Sequence, residues 1–152
     1  MSESDPTAIE LHDVNEFLCF AIYSAGHAFN RAYKPLLDAL GLTYPQYLAM
    51  AALWAEDGQT VGRLGEKLFL ESSTLTPLLK RLEAAGYVTR ARDPSDERQV
   101  RVRLTEAGVA LHARASDVPQ CMLAATGMTL EGLRHLQAEV VTLRDNLIKA
   151  TA

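Results

Sequence analysis

Thr74 to Gly108, TLTPLLKRLEAAGYVTRARDPSDERQVRVRLTEAG, is the stretch that most limits what this chain can become. Leu75, Leu78, Leu79 and Leu82 stand at i, i+3, i+4 and i+7, the apolar stripe of a helix lying on a core. Gly86 supplies the stop. Beyond it, Val100, Val102 and Leu104 alternate with Arg101 and Arg103, the period-two pattern of a half-buried strand. Tyr87 to Arg92 is strand-like as well, and the polar DPSDER between the two runs reads as a mobile turn. Upstream, Thr60 to Leu68 (TVGRLGEKL) puts Val61, Leu64 and Leu68 on one side of a short helix, and the link FLESS is brief. Two short helices with a tight connection make a helix-turn-helix, and the hairpin after them makes a wing. The second helix is expected from about Ser73 to Ala85. With Ser73 as its cap, Pro77 falls just past the first turn and loses a backbone bond, which predicts an irregular start.

The flanking segments are helical. Asp13 and Glu16 form a capping-box pair that predicts a helix from Val14, with Phe17, Leu18, Ile22, Ala25 and Phe29 along it. Pro35 is expected to break it, and a short helix from Pro35 to Leu40 should end at Gly41. Thr43 and Gln46 open another helix to about Glu56, closed by Gly58. Thr105 caps a helix to about Ser116, Pro119 bends or breaks it, and Thr129 caps the last helix, to about Lys149. Leu130, Leu133, Leu136, Val140, Leu143 and Leu147 form a long stripe on that last helix. The expected fold class is mainly α with a small β-hairpin wing. Residues 1–152 should form a single domain, with 14–57 and 106–150 as a helical region around a DNA-binding lobe at 60–104. A chain of 152 residues, 48% of them hydrophobic, is long enough to bury a core. No apolar run reaches the roughly 18 residues that cross a bilayer. The opening MSESDPTAIELHD is acidic and unlike a signal peptide, so no membrane and a cytoplasmic location are expected.

A net charge of −4 argues against nucleic acid until its distribution is considered. Between Thr60 and Leu104 nine basic residues face six acids, a balance of +3, so the remainder carries −7. Such a local basic face can hold phosphate while the acidic remainder keeps the surface charged. In a helix-turn-helix the second helix presents its N-terminal residues to base edges in the major groove. Ser72, Ser73, Thr74 and Thr76 are the candidates there. Arg81 can pair bidentately with guanine, and Lys80 is placed as a phosphate contact. At the wing tip Arg98 can enter a narrow minor groove, with Asp96 orienting it. The competing reading, a merely solvated charged face, explains the charges but not their agreement with the helices and the hairpin. His12, His27, His112 and His135 have no metal-ligand spacing and no Cys-x-x-Cys occurs, so no metal or cofactor is expected.

The segment from Thr60 to Gly108, with its DERQVRVRLTEAG wing and helix start, resembles the MarR family of winged-helix regulators. The resemblance implies an intertwined homodimer, built from the first helix and the last two of each subunit. It also implies a pseudo-palindromic double-stranded operator. The LCF-x-x-Y, AYKPLLD and LTYPQYL segments are similar to the organic-hydroperoxide-sensing (OhrR) subgroup. That resemblance implies a peroxide-reactive Cys19 in a pocket with Phe20, Tyr23, Tyr33 and Tyr44. Tyr33 and Tyr44 converge on it, one from the same subunit and one from the partner. It also implies a two-cysteine type, in which Cys121 of the partner subunit resolves oxidised Cys19 as a disulfide. The implied function is a non-enzymatic repressor that holds DNA when reduced and releases it when an organic hydroperoxide oxidises Cys19.

The residues bear on this directly. Only a thiolate is a useful nucleophile. Apolar Phe17, Leu18, Phe20 and Ile22 disfavour it, and a position in the second turn of its helix leaves Cys19 little benefit from the dipole. Tyr23, one turn on, can donate to it. Two other readings stay open: a MarR-type repressor gated by a phenolic or apolar ligand, and a thiol peroxidase.

Overall fold

A computed structural model of the protein describes residues 9–152; the first eight residues of the acidic opening segment lie outside them. Seven helices and one small sheet follow the described chain: α1 (Leu18–Asp38), α2 (Tyr44–Ala55), β1 (Gln59–Thr60), α3 (Val61–Leu68), α4 (Ser72–Ala84), β2 (Val88–Asp93), β3 (Asp96–Leu104), α5 (Glu106–Arg114), α6 (Val118–Thr126) and α7 (Leu130–Ala150). The mainly helical winged-helix expectation holds. No helix of the described residues is long and apolar enough to cross a membrane.

The first helix differs from expectation at both ends. The Asp13–Glu16 capping box forms, with the Asn15 N–H donating to Asp13 at 2.8 Å. It closes only a single 3-10 turn, Val14–Glu16, after which Phe17 is extended and α1 begins at Leu18. Pro35 does not break α1, which continues to Asp38. The proline forfeits one bond to the Arg31 carbonyl, but both residues are exposed and water can take that carbonyl. The last turn is held from the other side by Leu37, only 1% exposed.

The same balance governs α4. Its cap is Glu71, not Ser73, and the helix runs without irregularity through the exposed Pro77. Leu75, Leu78, Leu79 and Leu82 are all buried and outweigh one missing bond. They pack with Leu64 of α3, Met50 and Leu53 of α2, Leu37 of α1, and Val88 and Val102 of the sheet, so one core joins the helix-turn-helix to the helical region. Gly86, at φ +86°, takes the left-handed conformation that ends α4.

The hairpin is longer than its sequence pattern. β2 and β3 pair antiparallel from Val88↔Leu104 to Asp93↔Asp96, so the DPSDER turn shrinks to Pro94 and Ser95. Asp93 folds it tightly, accepting from the Ser95 N–H (2.9 Å) and hydroxyl (2.7 Å) and from Arg101 (2.6 Å). The sheet has a third strand, β1, paired to β3 at Gln59↔Val102 and Thr60↔Arg101. α7 is the opposite of the core: none of its residues is buried in the single chain.

Candidate nucleic-acid interface and sensing site

Ser72, Ser73 and Thr74 form the exposed first turn of α4, and Thr76 is half-buried beside them. Because Glu71 caps the helix through its backbone alone, no serine or threonine is spent on capping. Lys80 and Arg81 are exposed on the face away from the leucines, and neither is ion-paired among the described residues. At the wing, Arg98 is held by a bidentate contact with Asp96, at 3.0 and 3.2 Å, so the pairing proposed between them is present. Arg98 itself projects with its side chain 90% exposed.

The basic stretch is less uniform than its charge count suggests. Arg63 pairs with Glu56, Arg90 with Glu83, and Arg92 donates to the Glu97 carbonyl. Arg101 bridges Asp93 and the Gly58 carbonyl, tying the wing to the end of α2. These arginines build the lobe. Lys67, Lys80, Arg81 and Arg103 make no ion pair among the described residues, and with Arg98 they are cations the lobe displays.

Sequence reasoning missed several positioning contacts. Gln59, 2% exposed, donates to the Ala52 and Glu56 carbonyls and closes α2. The Asp57 carboxylate takes the Leu104 N–H at 2.8 Å. The Trp54 indole N–H reaches the Gly108 carbonyl at 2.9 Å, and its ring stacks on His112 at 4.7 Å. Partners so distant in sequence leave no periodic signal.

Cys19 is exposed and stands in the first turn of α1. This corrects its expected place in the second turn, because α1 starts later than the capping box suggests. The thiol therefore sits where the unpaired N–H groups and the positive end of the helix dipole act. Phe20 is half-buried beside it. Tyr23, one turn on, is 65% exposed and packs edge-on against His27 at 4.5 Å.

The other tyrosines gather elsewhere. Tyr33 meets Tyr44 at 4.7 Å and Tyr47 at 5.8 Å between ring centres, at the junction of α1 and α2. Burial pushes the Tyr33 phenol up to about 12, with the neighbouring Tyr44 and Tyr47 adding to it; burial raises Tyr44 and Tyr47 as well. All three remain protonated hydrogen-bond donors at neutral pH. Tyr33 is fourteen residues along an unbroken helix from Cys19, about 21 Å at 1.5 Å per residue. No phenol spans that distance. The arrangement with one of the two tyrosines from the same subunit is thus corrected: Tyr33 and Tyr44 of one chain travel together, away from that chain's own Cys19.

Cys121 is exposed on α6, between buried Val118 and Met122. Met122 and Ala125 line an apolar cavity of about 280 Å³ with Ala25, Phe29 and Ala32, so α6 lies along the middle of its own α1. A second apolar cavity of about 600 Å³ opens between α1 and α7, lined by Leu18, Ile22, Phe29, Leu136, Val140 and Leu143.

Comparisons with known proteins agree on the class. The family described as transcriptional regulator SarA/Rot matches residues 31–114. The chain is 52% identical over 130 residues to the HTH-type transcriptional regulator TtmR of Methylorubrum extorquens, covering 86% of this chain and 67% of that one. It is 45% identical over 130 residues to the organic hydroperoxide resistance transcriptional regulator of Bacillus subtilis, covering 86% and 88%. Among solved structures, reduced AbfR bound to DNA superposes with a TM-score of 0.74 at 34% identity, covering 86% of this chain and 91% of that one. A disulfide-formed AbfR superposes with a TM-score of 0.60 at 36% identity, covering 87% and 90%. AbfR is a protein of Staphylococcus epidermidis.

Proposed function

The chain belongs to the SarA/Rot, MarR-like winged-helix family of transcriptional regulators, and from that premise we propose that it is a dimeric, redox-sensing repressor. Reduced protein holds a pseudo-palindromic operator and an organic hydroperoxide releases it. α4 enters the major groove with Ser72, Ser73, Thr74 and Thr76 toward bases or phosphates. Arg81 faces guanine, Lys80 a phosphate, and Arg98, aligned by Asp96, a minor groove.

The observation that carries the sensing half is the division of α1. Its first turn presents Cys19 and its far end gathers protonated Tyr33 and Tyr44. In the proposed dimer the two α1 helices run antiparallel, so that the phenols of one chain lie over the thiol of the other and donate to its thiolate. Tyr23 and Phe20 complete the walls. Apolar Leu18, Phe20 and Ile22, beside Cys19 on α1, suit alkyl peroxides better than hydrogen peroxide.

The chemistry balances in two steps. The Cys19 thiolate attacks a peroxide oxygen; the O–O bond breaks, an S–O bond forms, and an alkoxide leaves to be protonated to the alcohol. Cys121 of the partner subunit then attacks the sulfenic sulfur, forming the S–S bond and releasing water. The two Cα atoms must come within about 7 Å, so if they start further apart in the reduced dimer, closing the bond drags α6 along. The Cys121→Ser variant tests the assignment. Treated with cumene hydroperoxide, it is expected to become a sulfenic acid at Cys19 and to give no covalent dimer on a non-reducing gel. A covalent dimer from this variant would reassign the resolving thiol.

A further inference from the structure

Phe69 is the single non-glycine residue of the described chain with positive φ, at φ 55° and ψ 40°. It ends α3 and forms the turn of the helix-turn-helix. A glycine takes that conformation freely, whereas a side chain there carries strain. Core burial does not repay it, because Phe69 is 59% exposed. What the ring does contact is Arg144 of α7, whose guanidinium carbon lies 4.5 Å above the ring centre. Asp145 holds that guanidinium in place at 3.0 Å. A strained backbone and an exposed aromatic platform thus coincide where α7, which has no buried residue, meets the DNA-facing lobe.

We propose that Phe69 and Arg144 are positioning residues, a cation–π latch that fixes the turn between α3 and α4 on α7 and so sets the separation of the two α4 helices in the dimer. Neither touches DNA. The latch selects half-site spacing instead of base sequence. This rests on the DNA-binding reading above and is independent of the redox chemistry.

The test uses a labelled duplex recovered by the wild-type protein from a randomised pool, and the same duplex with one base pair inserted between its half-sites. Phe69→Gly removes the ring and relieves the backbone, so it is expected to melt no lower than wild type. It should nonetheless bind the selected duplex about three- to tenfold more weakly and discriminate less against the longer one. Arg144→Gln, at an exposed position, should show the same loss, and the double variant should be no weaker than the weaker single one. The slope of log affinity against log salt should stay unchanged in all of them. Wild-type affinity and spacing preference in either single variant would overturn the latch. So would a salt slope reduced by about one in Arg144→Gln, which would make Arg144 a phosphate contact. A wild-type protein that recovers no duplex would sink the DNA-binding reading itself.

Discussion

Gly108, at the start of α5, and Asp93, at the tip of the wing, show how little freedom the hairpin has at either end. A Cβ on Gly108 would stand 2.1 Å from the Tyr87 carbonyl oxygen, a backbone atom that cannot move aside cheaply. Gly108→Ala is therefore expected to destabilise the fold by about 3 kcal/mol or more, read from the shift of the urea midpoint. Asp93 is the second. The Ser95 hydroxyl first, then Arg101, hold its carboxyl far below the usual carboxylate range. A depressed folded-state value means the contribution is present above the ordinary value of about 4 and fades as pH falls below it. Melting temperature should thus drop on acidification below pH 4 in the wild type. Asp93→Asn should start lower at pH 7 and lose part of that acid dependence. Identical melting curves across pH in the two proteins would contradict this.

Elements were legible where their signal was local. The leucine stripe of α4, the Thr43–Gln46 capping box of α2 and the alternation in β3 each lie within a few residues and each formed as read. α1 was misread because proline and capping rules describe a helix in isolation, whereas Leu37 and its neighbours hold the last turn through the core. β1, two residues long, has no periodicity to detect. In the candidate site, the exposed first turn of α4 and the Asp96–Arg98 pair followed from sequence. The internal duties of Arg90 and Arg101 did not, because their partners are set by sheet register and loop closure. The tyrosine cluster at the α1–α2 junction is checkable by absorbance titration. Its phenols should ionise above the ordinary value of 10, Tyr33 last at about 12. A raised value means the folded form favours the neutral phenol, so the cluster's support persists below pH 10 and is lost as pH climbs toward 12. Tyr33→Phe should remove the last-titrating component of the spectrum.

For the whole molecule, the uncovered apolar faces of α1 and α7 matter most. Leu18 (62% exposed), Leu136 (45%) and Val140 (40%) border a cavity that a single chain leaves open. In the proposed dimer a second chain covers this apolar surface. Val140→Asp is expected to sediment as one chain where the wild type sediments as two. Operator affinity should fall about a hundredfold or more with it, since each lobe then binds alone. A dimeric Val140→Asp protein with full affinity would place the interface elsewhere.

The central claim is that oxidation of Cys19 controls the grip of the paired α4 helices on DNA. Its most direct test is the anisotropy of a labelled operator duplex bound by reduced wild-type protein and by Cys19→Ser, each titrated with cumene hydroperoxide and then treated with dithiothreitol. The account predicts release from the wild type near one equivalent of peroxide per subunit, recovery after dithiothreitol, and no release from Cys19→Ser. Release from Cys19→Ser at the same dose, or a wild-type complex that peroxide leaves intact, would contradict it.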